Sequence, residues 1–198
     1  MGILTIKKCQ NKVLVVGPIY DKVNIFDKIK EMESNYDFII INGNLLYPYQ
    51  RIEELNKRID LFNSKWIFNV GEFDLRALLD ITLPEKIRTW INLKPNAIII
   101  EFINKFNLVI VGGGLTPNME KEDLQDNLEI SFVSLFNNES WHKSYGGAYG
   151  YIISNNPLTE KEPQFYNYSM QLGNIYSSNN KVYAQEVDQY GLKETILL

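Results

Sequence analysis

Histidine is almost missing from this chain: 198 residues contain one, His142, and cysteine is equally scarce, with Cys9 alone. A lone cysteine excludes an internal disulfide, and nothing beside it suggests a redox or zinc motif. A lone imidazole excludes any metal centre that needs several of them. Charge of one sign is also lacking. Twenty basic residues against 24 acidic ones give a net charge of -4, and neither sign gathers into a block, so the clustered cations that face a nucleic-acid backbone are absent. The doublets Lys7-Lys8 and Lys57-Arg58 read as a solvated strand end and a wet helix face. No window approaches the ~18 apolar residues of a membrane span, and the N-terminus has no charged stretch leading into an apolar one as a signal peptide would. The expectation is a cytoplasmic protein that partners neither membrane nor nucleic acid.

What is present is enough apolar material, 45% of residues, for one sizeable core, and a single domain over 1–198 is expected. The first two thirds alternate short apolar runs with amphipathic stretches, the pattern of an α/β protein built partly on parallel strands. Val13 to Val16 ends in Gly17, Phe38 to Ile41 ends in Asn42-Gly43, and Trp66 to Val70 ends in Gly71. Each run is too short for a helix and too apolar for a wet face, so buried strands follow. Val23, Phe26, Ile29 and Met32, and then Ile52, Leu55, Ile59 and Phe62, recur at helical spacing and suggest crossover helices with right-handed connections. Ala97 to Ile100 and Leu108 to Val111, flanking Asn104 to Asn107, suggest a hairpin. Residues 119–137 look helical, with Leu124, Leu128, Phe132 and Leu135 on one face. Tyr149 to Ser154 and Lys181 to Val187 look like strands, and Gly191 marks a turn before a last strand, Lys193 to Leu197.

Three consecutive strands thus run through a glycine into polar loops: Gly17-Pro18-Ile19-Tyr20, Asn42-Gly43-Asn44, and Val70-Gly71-Glu72-Phe73-Asp74. The glycines suit sharp exits that need positive φ or close approach. Such loops meet at the carboxyl edge of a sheet, where open α/β sheets build ligand sites. Two later strands lead into Gly112-Gly113-Gly114 and Ser154-Asn155-Asn156-Pro157, and Leu172 to Tyr176 precedes the closing strands. In order and spacing, over nearly the whole chain, these segments resemble the calcineurin-like metallophosphoesterases, with the Gly112 region similar to the phosphoprotein-phosphatase branch. The resemblance implies an α/β fold, a metallophosphoesterase-like β-sandwich of mixed sheets flanked by helices in four αββα layers.

The same resemblance locates what is missing. Pro18 and Tyr20 stand where the family carries its first aspartate and histidine ligands, and Asn44 stands for the bridging carboxylate. Glu72 replaces a liganding asparagine, Phe73 a histidine, and Gly112 another histidine. Asn155 stands for the histidine of a Gly-His pair, and Asp74 alone matches. A hydrolytic metal pair needs carboxylates and imidazoles around two cations. The chain is therefore expected to have no catalytic residues and no cofactor, with Glu72, Asp74 and Asn44 as weak candidates for one hard cation.

The expected function is a catalytically inactive pseudophosphatase that serves as a protein-binding scaffold or adaptor. The alternatives are a divergent one-metal phosphoesterase using Asn44, Glu72, Asp74 and Asn155, and a nucleotide-binding sensor in the vestigial cleft. Gly112-Gly113-Gly114 lacks the Lys and Ser/Thr of a Walker loop and reads as a turn, Asp21 as a helix cap, and His142 as a side chain without a catalytic partner. Aromatics are frequent in polar segments, at Tyr47 and Tyr49, at Trp141, Tyr145, Tyr149 and Tyr151, and at Phe165, Tyr166 and Tyr168. Such clusters suit protein contacts.

Overall fold

The computed structural model of the chain describes residues 4–20, 22–43, 45, 52–69, 74, 84–86, 97–104, 106–111, 149–154, 167–172 and 181–198. Their order is β1 (Leu4–Cys9), β2 (Lys12–Val16), α1 (Ile25–Met32), β3 (Phe38–Asn42), α2 (Ile52–Arg58), β4 (Trp66–Asn69), β5 (Ala97–Phe102), β6 (Phe106–Val111), β7 (Tyr149–Ser154), β8 (Asn167–Leu172), β9 (Tyr183–Asp188) and β10 (Gly191–Leu197). They form two five-stranded sheets, ordered β10-β9-β2-β3-β4 and β1-β5-β6-β7-β8. Both sheets are mixed. In the first, β2, β3 and β4 run parallel and β9 pairs antiparallel with β2 and β10; in the second, only the β5–β6 pair is antiparallel.

The three apolar runs become β2, β3 and β4 because both their faces are covered. Alternate residues go to opposite sides of a strand, and two cores result. Leu14, Val16, Ile39, Ile41, Trp66 and Phe68 pack against Phe26, Ile29, Leu55 and Ile59 from the two helices. Val13, Val15, Ile40 and Ile67 point the other way, onto Ile98, Ile100, Phe102, Phe106 and Ile153 of the second sheet. The described residues therefore stack as helices, sheet and sheet. Ile99 is also fully buried although it lies between Ile98 and Ile100 on β5, so the outer face of the second sheet is covered at that strand. Among the described residues no helix is long and apolar enough to cross a membrane.

Details depart from the sequence expectations for local reasons. The β5–β6 turn is tighter than Asn104 to Asn107, because Phe102 and Phe106 are both buried, with ring centroids 5.9 Å apart, and draw their residues into the strands. Asn104 Oδ1 accepts the Phe106 N–H at 3.1 Å and closes the turn. Gly191 begins β10 itself and does not stand apart from it. Its φ is 112° and a Cβ there would lie 2.7 Å from the Tyr151 hydroxyl, so both backbone and space require glycine. Lys7 and Lys8 lie beside the end of β1, with Lys8 exposed, yet both have partners: Lys7 sits 5.4 Å from the Phe38 ring centroid, and Lys8 pairs with the buried Glu101. Strand β8 arises where only a cluster of aromatics is evident in the sequence. The helix expected over 119–137 lies outside the described residues.

Asp37, at the start of β3, secures the β1–β2 turn. Its Oδ2 accepts the backbone N–H groups of Gln10 and Asn11 at 2.7 and 2.8 Å and the Cys9 thiol at 3.3 Å. Burial opposes its ionisation, yet these donors outweigh burial and hold the carboxyl below its usual range. Burial, reinforced by Asp37, pushes the Cys9 thiol far up. Burial and then the Glu186 carboxylate do the same to Tyr36. Groups lowered on folding give stability that is present above the unfolded carboxylate range and lost as pH falls through the folded values. Thiols and phenols raised on folding give stability that is complete below their unfolded values and lost as pH rises. Stability is thus expected to be flat from about pH 5 to about pH 8 and to fall on both sides, the alkaline decline beginning near the ordinary thiol value of ~8.5. In Cys9→Ala that onset should move toward ~10, where Tyr36 begins to matter; urea midpoints measured across pH decide it.

Candidate functional site

Because β2, β3 and β4 are parallel, their carboxyl ends emerge side by side, with Val16 opposite Ile41 and Asn42 opposite Asn69. Beyond β2, Gly17 prolongs the sheet, its N–H reaching the Tyr183 carbonyl at 2.9 Å. Its φ is not positive; the residue with φ in the left-handed region is Tyr20, at 50°. The chain therefore turns later than the glycine suggests, after the buried Pro18 and Ile19, where Lys22 N–H donates to the Ile19 carbonyl at 3.1 Å. A bulky residue in that conformation is rare and marks a constrained loop. Beyond β3, Gly43 has φ 77°, as its sharp exit requires.

At the ends of β3 and β4 lies a pair that the resemblance to the family's ligand positions passes over. Asn42 and Asn69 close β3 and β4 and are 0% and 2% exposed. By alternation they share the face of Ile40 and Ile67, above the core between the sheets. Asn69 Nδ2 donates to Asn42 Oδ1 at 2.7 Å, and Asn69 Oδ1 has no hydrogen-bond partner among the described residues. Gln185, half a sheet away opposite Val15 on β9, is a third buried amide on this face. The signal was in the sequence: each asparagine interrupts an apolar run at the same parity, directly before a glycine exit or one residue earlier.

Of the positions expected at the vestigial site, Pro18 is buried at the β2 exit, Tyr20 is half-buried in the left-handed turn, and Asp74 is fully buried. Asn44, Glu72, Phe73, Gly112 and Asn155 lie outside the described residues, as do Asp21 and His142. Of the aromatic clusters, Tyr151 is a structural tie. Its ring meets Phe106 edge-on at 5.0 Å, and its hydroxyl accepts the Leu192 N–H at 3.2 Å, joining the two sheets.

No family model matches the chain, and no curated protein matches it. Solved structures do. One, named as a "putative diadenosine tetraphosphatase", superposes with a TM-score of 0.52 at 13% identity, covering 100% of this chain and 98% of the other. A second, from Streptococcus pneumoniae TIGR4 and named as a "predicted phosphoesterase", gives a TM-score of 0.40 at 13% identity, covering 95% and 88%. The mixed sheets and flanking helices thus share the phosphoesterase-like fold of the first of these structures.

Proposed function

We propose that this chain is a catalytically silent member of the metallophosphoesterase fold, a pseudophosphatase of phosphoprotein-phosphatase descent that works in the cytoplasm as a scaffold or adaptor for another protein. It is read as one domain over 1–198, with a fourth, helical layer over the outer face where Ile99 is buried. The observation that carries the reading is the donor set at the carboxyl edge. Where the fold's hydrolases need charged ligands, the described strand ends present the Asn42–Asn69 amide pair, its amides bonded to each other, beside Pro18 and Tyr20. Neutral amides do not balance two divalent cations. Asp74 and Glu72 together supply fewer charges than such a pair requires, and the sequence holds a single imidazole. The described residues therefore do not fit the metal pair, and no hydrolytic step is assigned to them.

The test is elemental analysis of protein purified without chelator, joined to assays of a generic phosphomonoester and phosphodiester with Mn²⁺ present. We expect substoichiometric metal and no turnover above buffer. Tight stoichiometric metal, with turnover abolished by Asp74→Ala, overturns the reading. The adaptor half predicts that the chain leaves native cells in an assembly larger than its own 23.0 kDa; recovery only as the free chain counts against it.

A further inference from the structure

We propose that the Asn42–Asn69 pair is the floor of a neutral, amide-lined binding site, which takes an uncharged group bearing N–H or O–H donors and does not take phosphate. The proposal rests on the reading of this edge as binding and not hydrolytic. Asn69 is 2% exposed, its Oδ1 is unpartnered among the described residues, and its Nδ2 is committed to Asn42 Oδ1 at 2.7 Å. With the Asn42 oxygen as acceptor, the bond takes up the amino end of the Asn69 amide and leaves its carbonyl end for a ligand.

A buried carbonyl oxygen without a donor bears its whole desolvation penalty. An orphan of this kind, at a sheet edge where ligands bind, marks a place where another molecule supplies the donor. The chemistry of that molecule follows from the atoms. Asn69 offers a free acceptor beside its second amide hydrogen, the acceptor–donor edge with which Asn and Gln side chains read nucleobases. Asn42, beside it on the same face, adds an amide and no charge. A phosphate oxygen would meet the Asn69 carbonyl as acceptor against acceptor, whereas an exocyclic amine or a sugar hydroxyl would satisfy it. A nucleoside carries both donors without charge and is the fitting probe.

The side-chain amide signals of ¹⁵N-labelled protein, assigned by their loss in Asn69→Leu and Asn42→Leu, report the site directly. Titration with adenosine, cytidine and inorganic phosphate is expected to give a saturable shift of the Asn69 signal with at least one nucleoside and none with phosphate. The melting temperature should rise with the same nucleoside, and Asn69→Leu should lose that rise, whatever its own melting temperature, since leucine also takes away the donor to the buried Asn42 Oδ1. Asn69→Ala serves in its place if leucine does not fit. An Asn69-dependent response to phosphate overturns the proposal. So does a nucleoside response that survives both variants, or silence toward both nucleosides, which leaves water as the only donor. Turnover followed in the same samples with Mn²⁺ separates the two ideas: hydrolysis defeats the silent reading, and the amide signals judge the site.

Discussion

Replacing Phe26 by alanine is expected to remove about 3 to 5 kcal/mol of stability, seen as a lower urea midpoint with an unchanged slope. Phe26 is fully buried at the centre of the layer between α1 and the first sheet. Its ring meets Phe62 edge-on at 5.1 Å and Trp66 at 6.0 Å, and those two lie 5.0 Å from each other. The surroundings cannot collapse into the space a phenyl leaves. Trp66 is held by its Nε1–H bond to Glu33 at 2.6 Å, and Glu33 is itself tied to Asn63 Nδ2 at 2.6 Å and to Lys30. A cavity with fixed walls forfeits the transfer free energy of the ring and also the dispersion attraction between the ring and the atoms that surrounded it. Phe62 contributes to the same cluster but is only half-buried, so Phe62→Ala should cost clearly less. A Phe26→Ala loss under about 1 kcal/mol would mean that the helix repacks, and that α1 is not the rigid cover the geometry describes.

How much of this was legible beforehand follows from where the information sits. Runs such as Phe38 to Asn42 can be read because a strand buried on both faces must be continuously apolar, and the helices because Val23, Phe26 and Ile29 repeat with their period. Strand order is not written in any run. That β9 inserts beside β2, bringing residues 183–188 against 12–16, is decided by pairing across the whole chain. β8 was hidden because a strand with Asn167, Ser169 and Gln171 carries no apolar signature. At the candidate site the backbone corners were legible as glycines, but only half correctly. Gly43 does take positive φ, whereas at the first exit the unusual conformation falls on Tyr20, three residues past Gly17. Asn42 and Asn69 were in plain view as letters, yet their meaning depends on register. Only when β3 and β4 align do two isolated polar residues become one bonded pair with one atom unsatisfied among the described residues.

At the opposite end of the same sheet, Lys12→Met is expected to cost about 3 kcal/mol near neutral pH, the loss found when one partner of a buried ion pair is removed. Glu186, 6% exposed in its side chain, accepts from Lys12 Nζ at 2.9 and 3.1 Å and from the Tyr36 hydroxyl, and the same ammonium lies 5.0 Å from the Tyr36 ring centroid. Burial alone would raise the Glu186 pKa. Tyr36 and Lys12 together hold it below the usual range. Without Lys12, burial prevails and the carboxyl should prefer its proton. The deficit of Lys12→Met relative to wild type should therefore shrink as pH falls through the carboxylate range near ~4, since a protonated Glu186 no longer needs a cation. Salt should change it little, because the pair is mostly shielded from water. Converting the whole group at once, as Lys12→Met, Tyr36→Phe and Glu186→Leu, should recover most of the loss, since an apolar set of similar volume replaces a buried charge pair with little net change. A triple variant no more stable than Lys12→Met would show instead that the network contributes beyond its charges, through the hydrogen bond by which Tyr36, between α1 and β3, is held to β9.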